Sequence, residues 1–129
     1  MSGSGASLQP NLVSGRPQAP LGGAIAGGDY LLTDITYYDG VPQGAQTVKK
    51  LRFSFGYEAF ADGDGSAATE NIGRSYVTSG VNITFHEVCH TPAYKFKSTN
   101  TYTVPYTATP TQYIEFDTFV SGVFTYTRQ

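Results

Sequence analysis

From Gly27 to Gln129 the chain is a succession of runs that alternate apolar and polar residues, with turn residues at intervals of roughly 12 positions. The runs are rich in Tyr, Phe, Val and Thr, which suit a pleated, half-buried surface, and none of them has a helical period. Gly, Pro and Asp-Gly pairs separate them. This pattern predicts eight β-strands, at residues 29–39, 47–55, 57–61, 69–78, 81–89, 94–109, 111–117 and 119–128.

Short links between successive strands favour antiparallel neighbours, and eight strands joined in this way can close on themselves and so remove exposed edges. The sequence therefore predicts an all-β fold, an eight-stranded antiparallel up-and-down barrel, with a β-sandwich or jelly roll as the alternative. Enough large side chains are present to fill a narrow interior, namely Tyr30, Phe53, Phe55, Tyr76, Phe85, Ile114, Phe116, Phe124 and Tyr126.

Residues 1–26 differ from the rest because they consist mainly of Gly, Pro, Ala, Ser and Gln without any period. We expect a flexible leader over 1–26 and a single β-domain over 27–129. Charged residues make up 14% of the chain and the net charge is -2, which gives no broad attraction to nucleic acid. No apolar run approaches the roughly 20 residues of a membrane span. Low charge and this leader are typical of exported proteins, so we expect a secreted or cell-surface location.

The two ends of the β-domain carry a pair of residues with a known counterpart. Gly28-Asp29-Tyr30 opens the first strand and Arg128 closes the last one. This arrangement resembles the lipocalins and wider calycin barrels, in which the first strand opens with Gly-x-Trp and a terminal Arg packs on that ring. Tyr30 stands here where the family has Trp. Strand count and order over residues 28 to 128 are also similar to small lipocalin-like domains of bacterial secreted proteins. The resemblance implies a barrel with Arg128 latched onto Tyr30.

His86-Glu87-Val88-Cys89-His90 has the spelling of the H-E-x-x-H zinc signature. On a helix the two histidines lie one turn apart, about 6 Å along the axis, and can bind one zinc ion. On a strand they stand about 13 Å apart and cannot. The segment starts after a Ser-Gly turn, is rich in strand-forming residues and ends at Pro92, which disfavours a helix. We predict a strand without a metal, and a looser site of Glu87, Cys89 and His90 as the alternative.

Alternation along this strand places Phe85 and Glu87 on the core face and the two histidines on the outer face. A buried carboxylate needs a cationic partner, and Arg74 on the preceding strand, two residues from Tyr76, is the candidate. Arg74 and Glu87 then form an internal ion pair or anchor a small ligand between the rings of Tyr76 and Phe85. These four residues are the predicted ligand-binding site.

One further stretch, residues 62–73, shares Asp62, Asp64 and Ser66 with the spacing of a calcium-binding EF-hand loop. It has Ala67 where that loop needs Gly and Gly73 where it needs Glu, so we predict a solvated turn.

The predicted function is that of a non-enzymatic exported barrel, without cofactor or metal, that binds a small apolar or aromatic ligand. A structural β-module of an extracellular or virion assembly, with self-assembly through the N-terminal arm, is the first alternative. A metal-dependent hydrolase that uses His86, Glu87 and His90 is the second.

Overall fold

The computed structural model describes residues 7–38, 46–47, 50–54, 57–62, 70–91, 101–117 and 121–129. Within these ranges every regular element is a β-strand, which confirms the all-β prediction. None of the described elements is a helix long and apolar enough to cross a membrane. The strands are β1 (Ser7–Leu8), β2 (Asn11–Val13), β3 (Gly28–Tyr38), β4 (Gln46–Thr47), β5 (Lys50–Ser54), β6 (Tyr57–Asp62), β7 (Glu70–Ser79), β8 (Asn82–Thr91), β9 (Thr101–Ala108), β10 (Gln112–Asp117) and β11 (Gly122–Arg128).

Eight of these strands, β3 and β5 to β11, correspond in order to the eight predicted from the sequence. Each pairs antiparallel with its neighbour along the chain, from β3 with β5 through to β10 with β11. β11 also pairs antiparallel with β3, from Gly122 opposite Tyr37 to Arg128 opposite Tyr30. The ninth strand of this sheet is β2, which lies parallel to β3.

The core lies on one face of the strands because apolar and aromatic residues alternate with polar ones. On β5, Leu51 and Phe53 are buried while Arg52 faces outward and bonds to Asp29. Leu51 and Phe53 therefore form the row of β5 that faces the core. The buried apolar residues are Tyr30, Leu32, Ile35, Tyr37, Leu51, Phe53, Ile83, Phe85, Tyr106, Tyr113 and Tyr126. Phe55 lies outside the described residues.

Two of the residues expected in the core lie on the other face. Tyr113 is fully buried, with an exposed fraction of 0%, whereas its neighbour Ile114 and the next residue on that face, Phe116, are only partly buried. The prediction that Ile114 and Phe116 fill the interior is therefore wrong. The reason is the register, since Tyr113 lies opposite Tyr126, which is itself buried.

A β-bulge in β3 changes which of its residues face the core. Thr125 of β11 lies opposite Asp34, but the next residue, Tyr126, lies opposite Leu32, so Thr33 is the extra residue. The buried positions accordingly run 30 and 32 before the bulge and 35 and 37 after it.

The segment before β3 contacts the sheet at two places. At the first, β2 pairs with the last residues of β3. At the second, the Gly22 N–H donates to the Tyr106 carbonyl and the Gly22 carbonyl accepts from the Ala108 N–H, each at 2.8 Å, so Gly22 is bonded to β9. Two buried phenols also donate to this segment, Tyr30 to the Ala26 carbonyl and Tyr106 to the Gly23 carbonyl. Residues 11–13 and 22–26 thus follow specific paths along the sheet.

Candidate functional site

Four side chains of β7, β8 and β9 form a compact group that we call the arginine cluster: Arg74, Tyr76, Phe85 and Tyr102. Strand register positions them, because Tyr76 lies opposite Phe85 and Phe85 lies opposite Tyr102 in adjacent ladders. Arg74 precedes Tyr76 by two residues and therefore points to the same face. The sequence placed Arg74, Tyr76 and Phe85 together, and the structure brings them together.

Arg74 is the only charged residue that is buried among those whose side chains the structure describes, with an exposed fraction of 9%. Its Cζ lies 4.1 Å from the centroid of the Phe85 ring and 5.2 Å from that of Tyr102. Both distances are within the range of cation–π attraction, which is stronger where water is excluded. The rings hold the cation at a defined place on the core face.

The aromatic rings of the cluster continue into the core. Tyr102 and Phe85 have ring centroids 5.4 Å apart, Phe85 and Tyr76 are 6.3 Å apart, and Tyr76 meets Phe53 edge to face at 5.4 Å. Tyr102 is 41% exposed whereas Phe85 is completely buried. Ring contacts therefore lead from Tyr102, which reaches solvent, through the arginine cluster to Phe53 in the core. An aromatic molecule bound beside Tyr102 could pack on its ring as the neighbouring rings pack on one another.

Two acidic residues of β10, Glu115 and Asp117, lie on its core-facing side, and they were not identified from the sequence. Glu115 and Asp117 follow buried Tyr113 at two-residue intervals, so all three share one face, and both carboxylates are partly buried. The signal was present, since choosing Tyr113 as the inward residue would have placed both acids inside with it.

Asp117 acts on the buried phenol of Tyr37. Burial raises the pKa of Tyr37, and the Asp117 charge raises it further. Gly122 of β11 lies between them in the ladder, opposite both Asp117 and Tyr37. A Cβ at Gly122 would come within 3.0 Å of the Tyr37 ring, so the missing side chain gives this ring its place.

The remaining predicted site residue, Glu87, lies directly opposite Arg74 in the ladder between β7 and β8. Its side chain is outside the described part of the structure, so the predicted ion pair stays a prediction. The ladder between β7 and β8 has a bulge at this point. Gly73 pairs with Cys89 and Arg74 pairs with Glu87, which leaves Val88 as the extra residue.

The HEVCH segment lies within β8, as the sequence predicted, and β8 pairs with β7 along its whole length. Strand geometry separates the backbones of residues 86 and 90 by about 13 Å, which does not suit a shared zinc ion. His86 is exposed and its Nδ1 bonds to the Thr101 hydroxyl at 2.9 Å on the outer face. Among the described residues no group of three potential metal ligands comes together. Of the EF-hand-like stretch, residues 63–69 fall outside the described ranges.

Tyr30 and Arg128, the residues on which the resemblance to calycin barrels rests, are also close in space. Arg128 lies opposite Tyr30 in the ladder, and its guanidinium lies beside Gly28, with Nε 3.1 Å from where a Cβ at this glycine would be. Burial raises the pKa of Tyr30, an effect that the positive charge of Arg128 partly offsets. No protein-family model, curated protein or solved structure matches the chain at a significant level.

Proposed function

We propose that the protein is a lipocalin-like β-barrel, non-enzymatic and secreted or cell-surface, that binds a small aromatic or apolar ligand at the arginine cluster. The pairing scheme supports the barrel. Each of the eight strands β3 and β5 to β11 pairs with two others of the set, and the first and last are partners. A ring of pairings of this kind is what a closed barrel without strand edges would have. The packing of Arg128 against Gly28 and its position opposite Tyr30 support the calycin-type resemblance.

The observation that carries the ligand proposal is the placement of Arg74. This residue is 9% exposed, and its Cζ lies 4.1 Å from the centroid of the Phe85 ring. Ligand sites are mainly apolar and aromatic, with a few fixed polar groups that orient the ligand. Tyr102 supplies a ring that reaches solvent. An aromatic molecule with an anionic substituent fits this set, because its ring can stack at Tyr102 and its charge can lie towards Arg74.

A metal-dependent hydrolase receives no support from β8. The zinc chemistry of H-E-x-x-H requires the two histidines on adjacent turns of a helix, and residues 82–91 form a strand.

Two dyes of matched shape test the ligand proposal. 8-Anilinonaphthalene-1-sulfonate is an aromatic anion, and N-phenyl-1-naphthylamine has the same ring system without the sulfonate. We expect the anion to bind with a fluorescence increase, and Arg74→Met to weaken it about tenfold, as loss of one charge-assisted hydrogen bond predicts. Binding of the neutral dye should change little in the same variant.

Arg52→Met is the matched control because Arg52 is exposed on the outer face, where it pairs with Asp29. It should leave both dyes unaffected. If Arg74→Met and Arg52→Met weaken the anion equally, the dye reads surface charge and the site is elsewhere. Native mass spectrometry before and after a zinc chelator gives an independent check. A bound organic mass that survives the chelator supports the proposal, and an added mass that the chelator removes supports a metal site instead.

A further inference from the structure

The N-terminal residues 7–13, which we call the arm, lie between two separated strands. Among the described residues, β3 pairs with β5 through its first residues, Gly28 to Leu31. Towards its other end, residues 36–38 of β3 pair in parallel with Asn11–Val13 of the arm. Ser7–Leu8 of the arm pair antiparallel with Gln46–Thr47 of β4. The arm is therefore hydrogen bonded to β3 and to β4, and we call the place it occupies between them the seam.

Main-chain pairing dominates the contacts of the arm with the seam. Side chains add to it: Leu8 packs against the core cluster and Pro10 is buried. The Asn11 amide donates to Asp34 Oδ1 at 2.8 Å and to the Ile35 carbonyl at 3.3 Å. Leu12 and Val13 remain 55% and 42% exposed. A strand that is held mainly by main-chain hydrogen bonds can also be supplied by another chain, as in strand addition to a sheet.

The link from the arm to the rest of the chain is exposed. Residues 14–19 all lie on the surface. The chain is held on β9 at Leu21, whose N–H donates to the Thr107 hydroxyl at 2.9 Å, and at Gly22 through its two backbone hydrogen bonds. A Cβ at Gly22 would overlap the Gly80 carbonyl oxygen, so this anchor admits no larger residue. The arm can leave the seam by rearrangement of the exposed residues 14–19, while the anchor at Leu21 and Gly22 stays in place.

We propose that the seam is a strand-insertion site shared between copies of this chain, and that residues 7–13 of one copy occupy the seam of a second. Every contact that the arm makes with its own seam is available, unchanged, in another copy. Exchange of an identical element therefore alters little in the contact free energy and becomes favourable as the protein concentration rises. The proposal is independent of the ligand proposal, because the arginine cluster lies on β7 to β9.

Shortening the link forces the choice of seam. Removal of residues 14–20 leaves Leu21 alone between Val13 and Gly22, a reach of at most about 7 Å. β3 and β9, to which the two ends are attached, have β11 and β10 between them, a separation of about 14 Å. The shortened chain cannot fill its own seam, so light scattering should show a dimer or larger assembly in place of a monomer. The same deletion with Leu8→Asp should be monomeric, because a charge replaces the apolar side chain by which the arm packs against the core cluster.

A cross-link in the full-length chain keeps the test independent of whether the shortened chain folds. Asn11 and Thr36 are ladder partners whose side chains approach to 3.5 Å, so Asn11→Cys with Thr36→Cys, on a Cys89→Ala background, reports where the arm lies. After refolding at low and at high protein concentration and mild oxidation, the covalent dimer should increase with concentration. Covalent monomer alone at every concentration, or an assembly of the shortened chain that survives Leu8→Asp, would overturn the proposal.

Discussion

Arg128 covers Gly28: a Cβ built on this glycine would lie 3.1 Å from the Arg128 Nε atom. Gly28 also has a φ of +134°, a backbone conformation that residues with a side chain rarely adopt. We expect Gly28→Ala to lower the free energy of unfolding by about 1–3 kcal/mol, through backbone strain and displacement of the guanidinium.

Gly27→Ala is the matched control for this change. A Cβ at Gly27 has one neighbour, the Phe53 carbonyl oxygen at an ordinary 3.4 Å. Urea denaturation of both variants measures the difference. Equal stabilities for the two would mean that neither the conformation at Gly28 nor its cover matters to the fold.

Ionisation of buried tyrosines should limit stability at high pH. Burial raises the pKa of Tyr37 and the Asp117 charge raises it further, whereas in the unfolded chain a tyrosine titrates near about 10. Above that pH the unfolded chain loses its proton first and the folded chain keeps it. The free energy of unfolding therefore falls as the pH rises from about 10 through the folded pKa.

Tyr37→Phe should make this decline shallower, and Asp117→Asn should do so in part, because it removes only the second cause. Urea midpoints between about pH 8 and pH 11, from about two units below to one above the free tyrosine value, measure the slope. Parallel curves for wild type and Tyr37→Phe would show that another group controls alkaline unfolding.

Two phenols fix the segment before β3. Tyr30 donates to the Ala26 carbonyl at 2.6 Å and Tyr106 donates to the Gly23 carbonyl, each from a buried ring. We expect Tyr106→Phe and Tyr30→Phe together to leave the sheet folded, with a loss of about 0.5–1.5 kcal/mol for each bond. Amide hydrogen exchange should become faster at residues 21–27 and stay unchanged in β10. Unchanged protection in both places would mean that the backbone bonds of Gly22 hold the segment without the phenols.

The number and order of the strands could be predicted from the sequence because alternation and turn residues are local signals. The core faces of β3 and β10 could not. Thr33 is an ordinary strand residue in the sequence, and only its pairing with β11 makes it a bulge that shifts Ile35 and Tyr37 inward. On β10, the more apolar Ile114 and Phe116 lie on the outer face because the register places Tyr113 opposite Tyr126.

The candidate site was predictable to the same extent. Arg74, Tyr76 and Phe85 follow from alternation on two strands joined by a short turn. Tyr102 was not singled out, because the strand predicted over 94–109 offered no reason to prefer one of its tyrosines. The path of the arm was also beyond the sequence, since pairing through the backbone depends on which strand edges are available.

Phe53 should contribute strongly to stability, because its fully buried ring meets three others. Its centroid lies 5.5 Å from that of Tyr30, 5.4 Å from Tyr76 and 4.9 Å from Tyr113. We expect Phe53→Ala to cost about 3–5 kcal/mol, the usual range for a fully buried phenylalanine, because the surrounding rings cannot collapse into the space. Phe116→Ala removes the same number of atoms from the outer face of β10, where the residue is only partly buried, and should cost clearly less. Denaturant unfolding of the two variants compares them directly. Equal losses would place Phe116 in the core, as its hydrophobicity alone predicts, and would contradict the inward position of Tyr113.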